Sequence, residues 1–119
     1  MYVKIGYKNK RIEKLLSNPK YAIKELGSDI AEKVYLRKDQ IEAADSLEIM
    51  IVGRIGRCHP LHYDFEGMFG LVLKDQVRLI VLPDDEQDYK DYGEIIKCRA
   101  VKIIGVVDYH GQKNEWLFK

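Results

Sequence analysis

The chain has 119 residues, 46% of them hydrophobic and 33% charged, which is the composition of an ordinary globular protein able to bury one core. No apolar run approaches the ~20 residues that cross a bilayer, and the N-terminus lacks the apolar block of a secretory signal. We therefore expect a cytoplasmic protein, not bound to a membrane, with a single domain over residues 1–119. Cys58 and Cys98 have no CxxC spacing, which favours two reduced thiols over a zinc site.

The charges are unevenly distributed although the net charge is only +1. The segment Asp84–Glu94 carries six acidic residues against one lysine, a local charge of −5, so the rest of the chain carries +6. A basic body of this kind suits a polyanionic ligand such as nucleic acid. Composition alone favours the simpler interpretation, a solvated surface of mixed charge.

The first half of the chain has helical spacing after one short strand. Alternation predicts a strand over Met1–Gly6, and the apolar positions within Ile12–Leu16 predict a helix. That helix should end near Asn18, because the residue before Pro19 is disfavoured in the helical conformation.

Two further helical segments follow. A short helix is expected over Tyr21–Leu26, stopping at Gly27. Ser28 is predicted to cap a longer helix that has Asp29 in its first turn and continues to about Ala44.

The second half of the chain is predicted to be a meander of strands. They are expected near Arg57–Tyr63, Met68–Leu73, Val77–Leu82 and Ile95–Tyr109. Gly105 indicates a bulge or a bend in the last of them, and the tail Gln112–Lys119 is expected either to add an edge strand or to dock on a partner. The predicted fold is α+β, in the order β-α-α-β-β-β-β, with two N-terminal helices packed on a twisted, mainly antiparallel sheet.

Three groups of polar residues fall on these strands. His59-Pro60-Leu61-His62 lies on the first strand of the meander, Arg78 lies on the third with Lys74 shortly before it, and Asp108-Tyr109-His110 closes the last. An antiparallel sheet is able to bring such distant positions together on one face.

Cleavage of RNA by its own 2′-hydroxyl needs side chains of these types. Histidine suits the base and acid roles because its pKa lies near working pH, and arginine matches the geometry of phosphate. No metal or other cofactor is expected, because the nucleophile is already attached to the substrate.

Each candidate residue also has an ordinary structural interpretation. A strand histidine is commonly a surface side chain, and Arg78 is of a type that often forms a surface ion pair. Asp108 could bind a loop backbone, and Tyr109 could be a cross-strand aromatic. Spacing alone leaves both interpretations open.

The stretch Ala44–His110 resembles the HigB-type killer proteins of type II toxin–antitoxin systems, within the RelE/ParE structural superfamily. The matching pieces are Ala44-Asp45-Ser46-Leu47 closing the second helix, His59-Pro60-Leu61, the Glu66-Gly67 turn, Arg78-Leu79-Ile80 and Asp108-Tyr109-His110. The resemblance implies a RelE-like fold and a ribosome-dependent mRNA endonuclease (an mRNA interferase), which acts in the ribosomal A site and inhibits translation. It also implies inhibition by a small helix-turn-helix antitoxin of the HigA type, with which the toxin would form a heterotetramer.

The resemblance also assigns roles to residues. His59 and His110 would transfer the protons, in an order left open, and Arg78 would stabilise the phosphorane. Asp108 would orient a neighbour, and Tyr109 would stack on or hydrogen-bond the nucleotide. His62 and Lys74 are the expected substrate-binding residues.

The chain departs from the family pattern at several of these positions. His62 stands where relatives often have lysine, Phe65 replaces a basic residue, and Phe69 replaces a tryptophan. The loss of cations keeps an alternative open, a non-catalytic member of the superfamily such as a ParE-like gyrase inhibitor or an inactive toxin that still binds antitoxin.

Overall fold

The computed structural model describes residues 3–61, 65–84, 93, 97–110 and 113–119, with His110 and Lys113 described by their backbone alone. Its α-helices are α1 (Lys10–Ser17), α2 (Pro19–Leu26), α3 (Ser28–Ala43) and α4 (Leu47–Val52). Its strands are β1 (Lys4–Tyr7), β2 (His59–Pro60), β3 (Phe69–Lys74), β4 (Val77–Pro83), β5 (Ala100–His110) and β6 (Lys113–Phe118). A 3-10 turn, Ile55–Arg57, precedes β2. This is an α+β fold with a mixed sheet.

Asn18 separates the first two helices, as predicted. It is the extended residue that ends α1, and its side-chain oxygen accepts a hydrogen bond from the backbone N–H of Tyr21 at 3.2 Å, with Pro19 as the first residue of α2. Gly27 ends α2 with a φ of 84°. The predicted cap at Ser28 is wrong, because Gly27 occupies the cap position and Ser28 is already helical.

The helical region differs from the predicted pair of helices, because four are described. Ala44 is extended, with φ −81° and ψ 143°, so Ala44–Leu47 joins α3 to α4 rather than closing a helix. Leu47 and Met50 of α4 are fully buried, which explains why so short a helix persists.

The sheet has the order β1-β5-β4-β3-β2, and β6 pairs with β5 beyond the end of β1. β1 runs parallel to β5, and the other pairs are antiparallel. The predicted strand in the tail is confirmed by β6. Since β5 has partners along both sides, its final residues lie well inside the sheet.

The strand expected over Arg57–Tyr63 is much shorter among the described residues, where only His59 and Pro60 pair with β3. Arg57 has a φ of 51°, in the left-handed region, which a strand residue does not adopt. The chain is therefore still turning at Arg57.

The predicted bulge at Gly105 is confirmed. Ile80 pairs with Gly105 whereas Val81 pairs with Ile103, so Ile104 is an extra residue in β5. A Cβ at Gly105 would lie 2.8 Å from the ring of Trp116 and closer still to the carbonyl oxygen of Phe118, so only glycine fits there.

The two faces of the sheet are covered differently. All four helices pack on one face, where their apolar residues and those of the strands form the main core. The opposite face carries a smaller cluster made of Leu61, Phe65, Ile80, Ile104 and Val107. None of the helices in the described part of the chain is long and apolar enough to cross a membrane.

Candidate active site

The face of the sheet opposite the helices carries three of the predicted residues. Arg78 lies between Val72 and Val107, and Tyr109 follows two residues after Val107 on the same face. His59 pairs with Gly70, which lies two residues before Val72 on β3 and therefore on the same face. The fold therefore brings His59, Arg78 and Tyr109 to one surface from three strands.

The imidazole of His59 has a defined orientation. Its Nδ1 lies 2.6 Å from the carbonyl oxygen of Arg57. A carbonyl oxygen only accepts hydrogen bonds, so Nδ1 must carry the proton in this contact. In the neutral ring, Nε2 is then the nitrogen that is able to take a proton from a substrate.

The guanidinium of Arg78 is only partly satisfied. One of its terminal nitrogens donates to the carbonyl oxygens of Asp75 and Val77, whereas the buried Nε has no partner among the described residues. Burial lowers the pKa of Arg78, the neighbouring Arg57 lowers it further, and Tyr109 acts in the opposite direction.

Tyr109 is held beside Arg78 by contacts on the strand and the ring. Its backbone N–H donates to the carbonyl oxygen of Gln76 at 2.9 Å. Its ring meets Phe65 edge-on with centroids 5.8 Å apart, and Phe65 packs on Trp116 at 5.4 Å. These aromatic rings form a surface next to the cation on which a base could stack.

Asp108 and Lys74 lie on the other face of the sheet. Asp108 stands opposite Val77 on one neighbouring strand and Glu115 on the other, and it alternates in direction with Tyr109. The Lys74 ammonium lies 3.1 Å from the carboxylate of Asp29, at the start of α3. Neither residue shares the surface of Arg78.

Two of the predicted residues are described incompletely or not at all. His62 lies outside the described residues. For His110 the backbone places it at the end of β5, paired with Lys113 and directly after Tyr109. Most of the acidic segment also lies outside the described residues, and Asp84, its first residue, pairs with Lys102 at 3.8 Å.

Arg57 belongs to this surface although the sequence motifs did not include it. It acts electrostatically on Arg78, and its carbonyl oxygen contacts Nδ1 of His59. No alternation in the sequence marked it, because its φ of 51° places it in the turn before β2 rather than in an extended strand.

Metal ligands and cysteine thiols are the other groups considered as candidates for a reactive site. In the part of the chain that the structure describes, no group of three or more His, Cys, Asp and Glu side chains is arranged to hold a metal ion. Cys58 and Cys98 are buried and are not joined in a disulfide. Burial, with a smaller contribution from Cys98, raises the pKa of Cys58 to about 12.

Comparison of the chain with models of protein families, with curated proteins and with solved structures found no match. Its function is therefore inferred from the geometry of these residues and from the order of their motifs.

Proposed function

We propose that the protein is the toxin of a type II toxin–antitoxin system, with a RelE-like fold, and that it cleaves mRNA on the ribosome without a metal. The observation that carries this proposal is the convergence of His59, Arg78 and Tyr109 on one face of the sheet. Proton acceptor, phosphate ligand and aromatic surface are the groups that the reaction requires.

In the proposed reaction, Nε2 of His59 takes the proton of a 2′-hydroxyl as that oxygen attacks the adjacent phosphorus. A bond forms between the 2′-oxygen and phosphorus, the bond from phosphorus to the 5′-oxygen breaks, and the products are a 2′,3′-cyclic phosphate and a 5′-hydroxyl. His110, two residues after Asp108 at the hairpin end of β5, is proposed to supply the proton to the departing 5′-oxygen, which requires this end of the strand to turn toward Arg78. The hydrogen bond from Nδ1 to Arg57 supports this order of roles, because it leaves Nε2 as the acceptor.

Arg78 is proposed to bind the oxygens of the phosphorane. Its guanidinium is partly exposed and forms no ion pair with a carboxylate among the described residues, so a planar cation faces the surface where a phosphate would bind. Tyr109 would stack on or hydrogen-bond the nucleotide beside it. The loss of one such charge-stabilising donor costs about 10²–10³ in rate.

Asp108 and Lys74 are not assigned a chemical step in the proposed reaction. Asp108 is proposed to act as a positioning residue that holds the end of β5, because it lies on the opposite face from Arg78. Lys74 is left out of the proposed site, since it is paired with Asp29 on the helix side of the sheet.

The proposed setting is the cytoplasm, with mRNA in the ribosomal A site as substrate. A helix-turn-helix antitoxin of the HigA type would bind the toxin in a heterotetramer. An acidic partner would suit the cationic surface around Arg78, because complementary charge speeds encounter. A neighbouring gene for a helix-turn-helix protein of about 100 residues would support this part of the proposal.

The test is to map the 5′ ends of cellular mRNA after brief induction of the protein. The parent is expected to produce new cuts within translated codons and to arrest growth. Arg78→Ala and His110→Ala should lose most of both effects, by about 10²–10³ in rate, while remaining folded by circular dichroism.

Lys74→Ala is the matched comparison, because Lys74 and Arg78 are cations of the same hairpin on opposite faces. It is expected to cut like the parent. If the Arg78 and His110 variants arrest growth as well as the parent, the assignment of the site is wrong. Growth arrest with a DNA-damage response and no mRNA cuts would instead support the gyrase-inhibitor alternative.

A further inference from the structure

Two arginines of the proposed active surface act on each other electrostatically. Arg57 is exposed and acts electrostatically on Arg78, which is partly buried. Within the described ranges, no carboxylate forms an ion pair with either arginine. Like charges repel, so this arrangement is unfavourable until an anion binds between them.

The backbone holds Arg57 in this position at some cost. Gly56 and Arg57 both have φ in the left-handed region, at 58° and 51°, and such a conformation in an arginine is uncommon and unfavourable. The carbonyl oxygen of Arg57 also accepts the hydrogen bond from His59. The same residue therefore orients the imidazole through its backbone and adds a cation through its side chain.

Arg37 of α3 packs against the turn that carries Arg57. Its Nε donates to the carbonyl oxygen of Val72 at 2.8 Å, and a Cβ at Gly56 would lie 2.7 Å from that same nitrogen. The turn that carries Arg57 is thus packed on a side chain bonded to the strand next to Arg78. Arg57 is fixed relative to Arg78 by this packing.

We infer that Arg57 is a second substrate-binding residue and that it binds, together with Arg78, one phosphate of the RNA backbone. The inference rests on the proposed function and adds a residue to its site. A phosphate bridging the two guanidiniums would accept from their terminal N–H groups and relieve the repulsion between the two cations.

The test measures the affinity of the full-length protein for a 2′-O-methyl oligoribonucleotide, which cannot be cleaved, across a range of salt concentrations. Arg57→Gln should weaken binding and reduce the slope of log affinity against log salt by less than the ~0.7 of a whole phosphate contact on a single strand, because Arg78 still contacts the shared phosphate. Arg57→Lys should keep the slope and recover part of the affinity.

The double variant separates a shared phosphate from two separate ones. With one shared phosphate, Arg57→Gln should weaken binding less in the Arg78→Gln background than in the parent, because the contacts are coupled. Arg54→Gln is the matched control, since Arg54 is exposed, has a φ of 54° and shows no electrostatic coupling to Arg78. It should bind like the parent.

Parental affinity and slope in Arg57→Gln would overturn the inference, as would strictly additive losses in the double variant. A third contrary result is a loss of binding to poly-glutamate but not to the oligonucleotide, which would make Arg57 a contact for an acidic protein. Because binding is measured without cleavage, failure here leaves the mRNA mapping result intact. Absence of cleavage in the parent likewise leaves the binding result intact.

Discussion

Cys58 and His59 are adjacent in the chain and have opposite surroundings. The thiol of Cys58 is buried in the main core, while the imidazole of His59 is partly exposed on the other face. Burial raises the pKa of Cys58 to about 12, so this thiol stays protonated at neutral pH and is a poor nucleophile. The reactive group of this pair is the histidine.

The buried thiol should make the protein sensitive to alkaline pH. The folded state keeps the Cys58 proton up to about pH 12, whereas an unfolded thiol releases it near its ordinary pKa of 9.0. The free energy of unfolding should therefore be unaffected by Cys58 below pH 9.0 and should fall as the pH rises toward 12. Urea unfolding at neutral pH and at about pH 10 measures this, with Cys58→Ala as the control. An equal decline in the parent and in Cys58→Ala would contradict it.

At the scale of elements, β5 depends on a glycine at its bulge. The extra residue Ile104 lets the strand keep partners on both sides while Val107 and Tyr109 remain on the active face. Gly105 lies under Trp116 and against the backbone of β6, so any side chain there would push the last strand away.

Gly105→Ala should accordingly destabilise the protein by about 1–3 kcal/mol, as overpacking does. Gly6→Ala in β1 is the matched control, because a Cβ there would meet its nearest atoms at 3.9 Å, an ordinary contact. Replacing this second glycine should be neutral or stabilising by about 0.5–1 kcal/mol. Urea unfolding compares the two, and an equal effect of both substitutions would count against the described packing.

Sequence patterns predicted where helices and strands lie better than they predicted which strands pair in the sheet. Asn18 and Gly27 marked helix ends correctly, because capping and positive φ are local properties of those residues. The helix α4 was missed, since a short apolar run has no period that separates helix from strand. The parallel pairing of β1 with β5 is set by packing at long range, which no local pattern records.

The same distinction applies to the candidate site. The sequence indicated that an antiparallel sheet is able to bring the three motif groups to one face, but it did not predict that Tyr109 rather than Asp108 shares the face of Arg78, because that depends on the exact register. Lys74 went to the other face because the register between β3 and β4 shifts after Val72, and the sequence gives no sign of this shift. Arg57 was overlooked because it lies in the turn before β2.

At the scale of the whole molecule, the acidic segment leaves the sheet far from Arg78. Asp84 follows the end of β4, whereas Arg78 lies near its start, a separation of about 20 Å along an extended strand. Asp84 is bonded there to Ala100 and Lys102, at the opposite end of the sheet from the β3–β4 turn. The negative charge therefore begins away from the proposed phosphate site.

Neutralising this segment should leave cleavage unchanged at physiological salt. The change is Asp85→Asn, Glu86→Gln, Asp88→Asn and Asp91→Asn together, and screening over about 8 Å makes a charge as far from Arg78 as Asp84 nearly ineffective. Rates of mRNA cleavage at physiological salt and at about 0.01 M salt, where screening extends to about 30 Å, provide the measurement. A large change at physiological salt would show that the segment reaches the substrate.

The place of β5 in the sheet has a consequence for how the protein is made. Residues 4–7 hydrogen-bond to residues 100–103, and the strand at 113–118 then completes the other half of the same ladder. During synthesis β1 therefore stays unpaired until residues 100–103 have emerged. Such distant pairing slows folding, so the nascent chain is without its central ladder, and without the surface built on it, until both of these strands have been made.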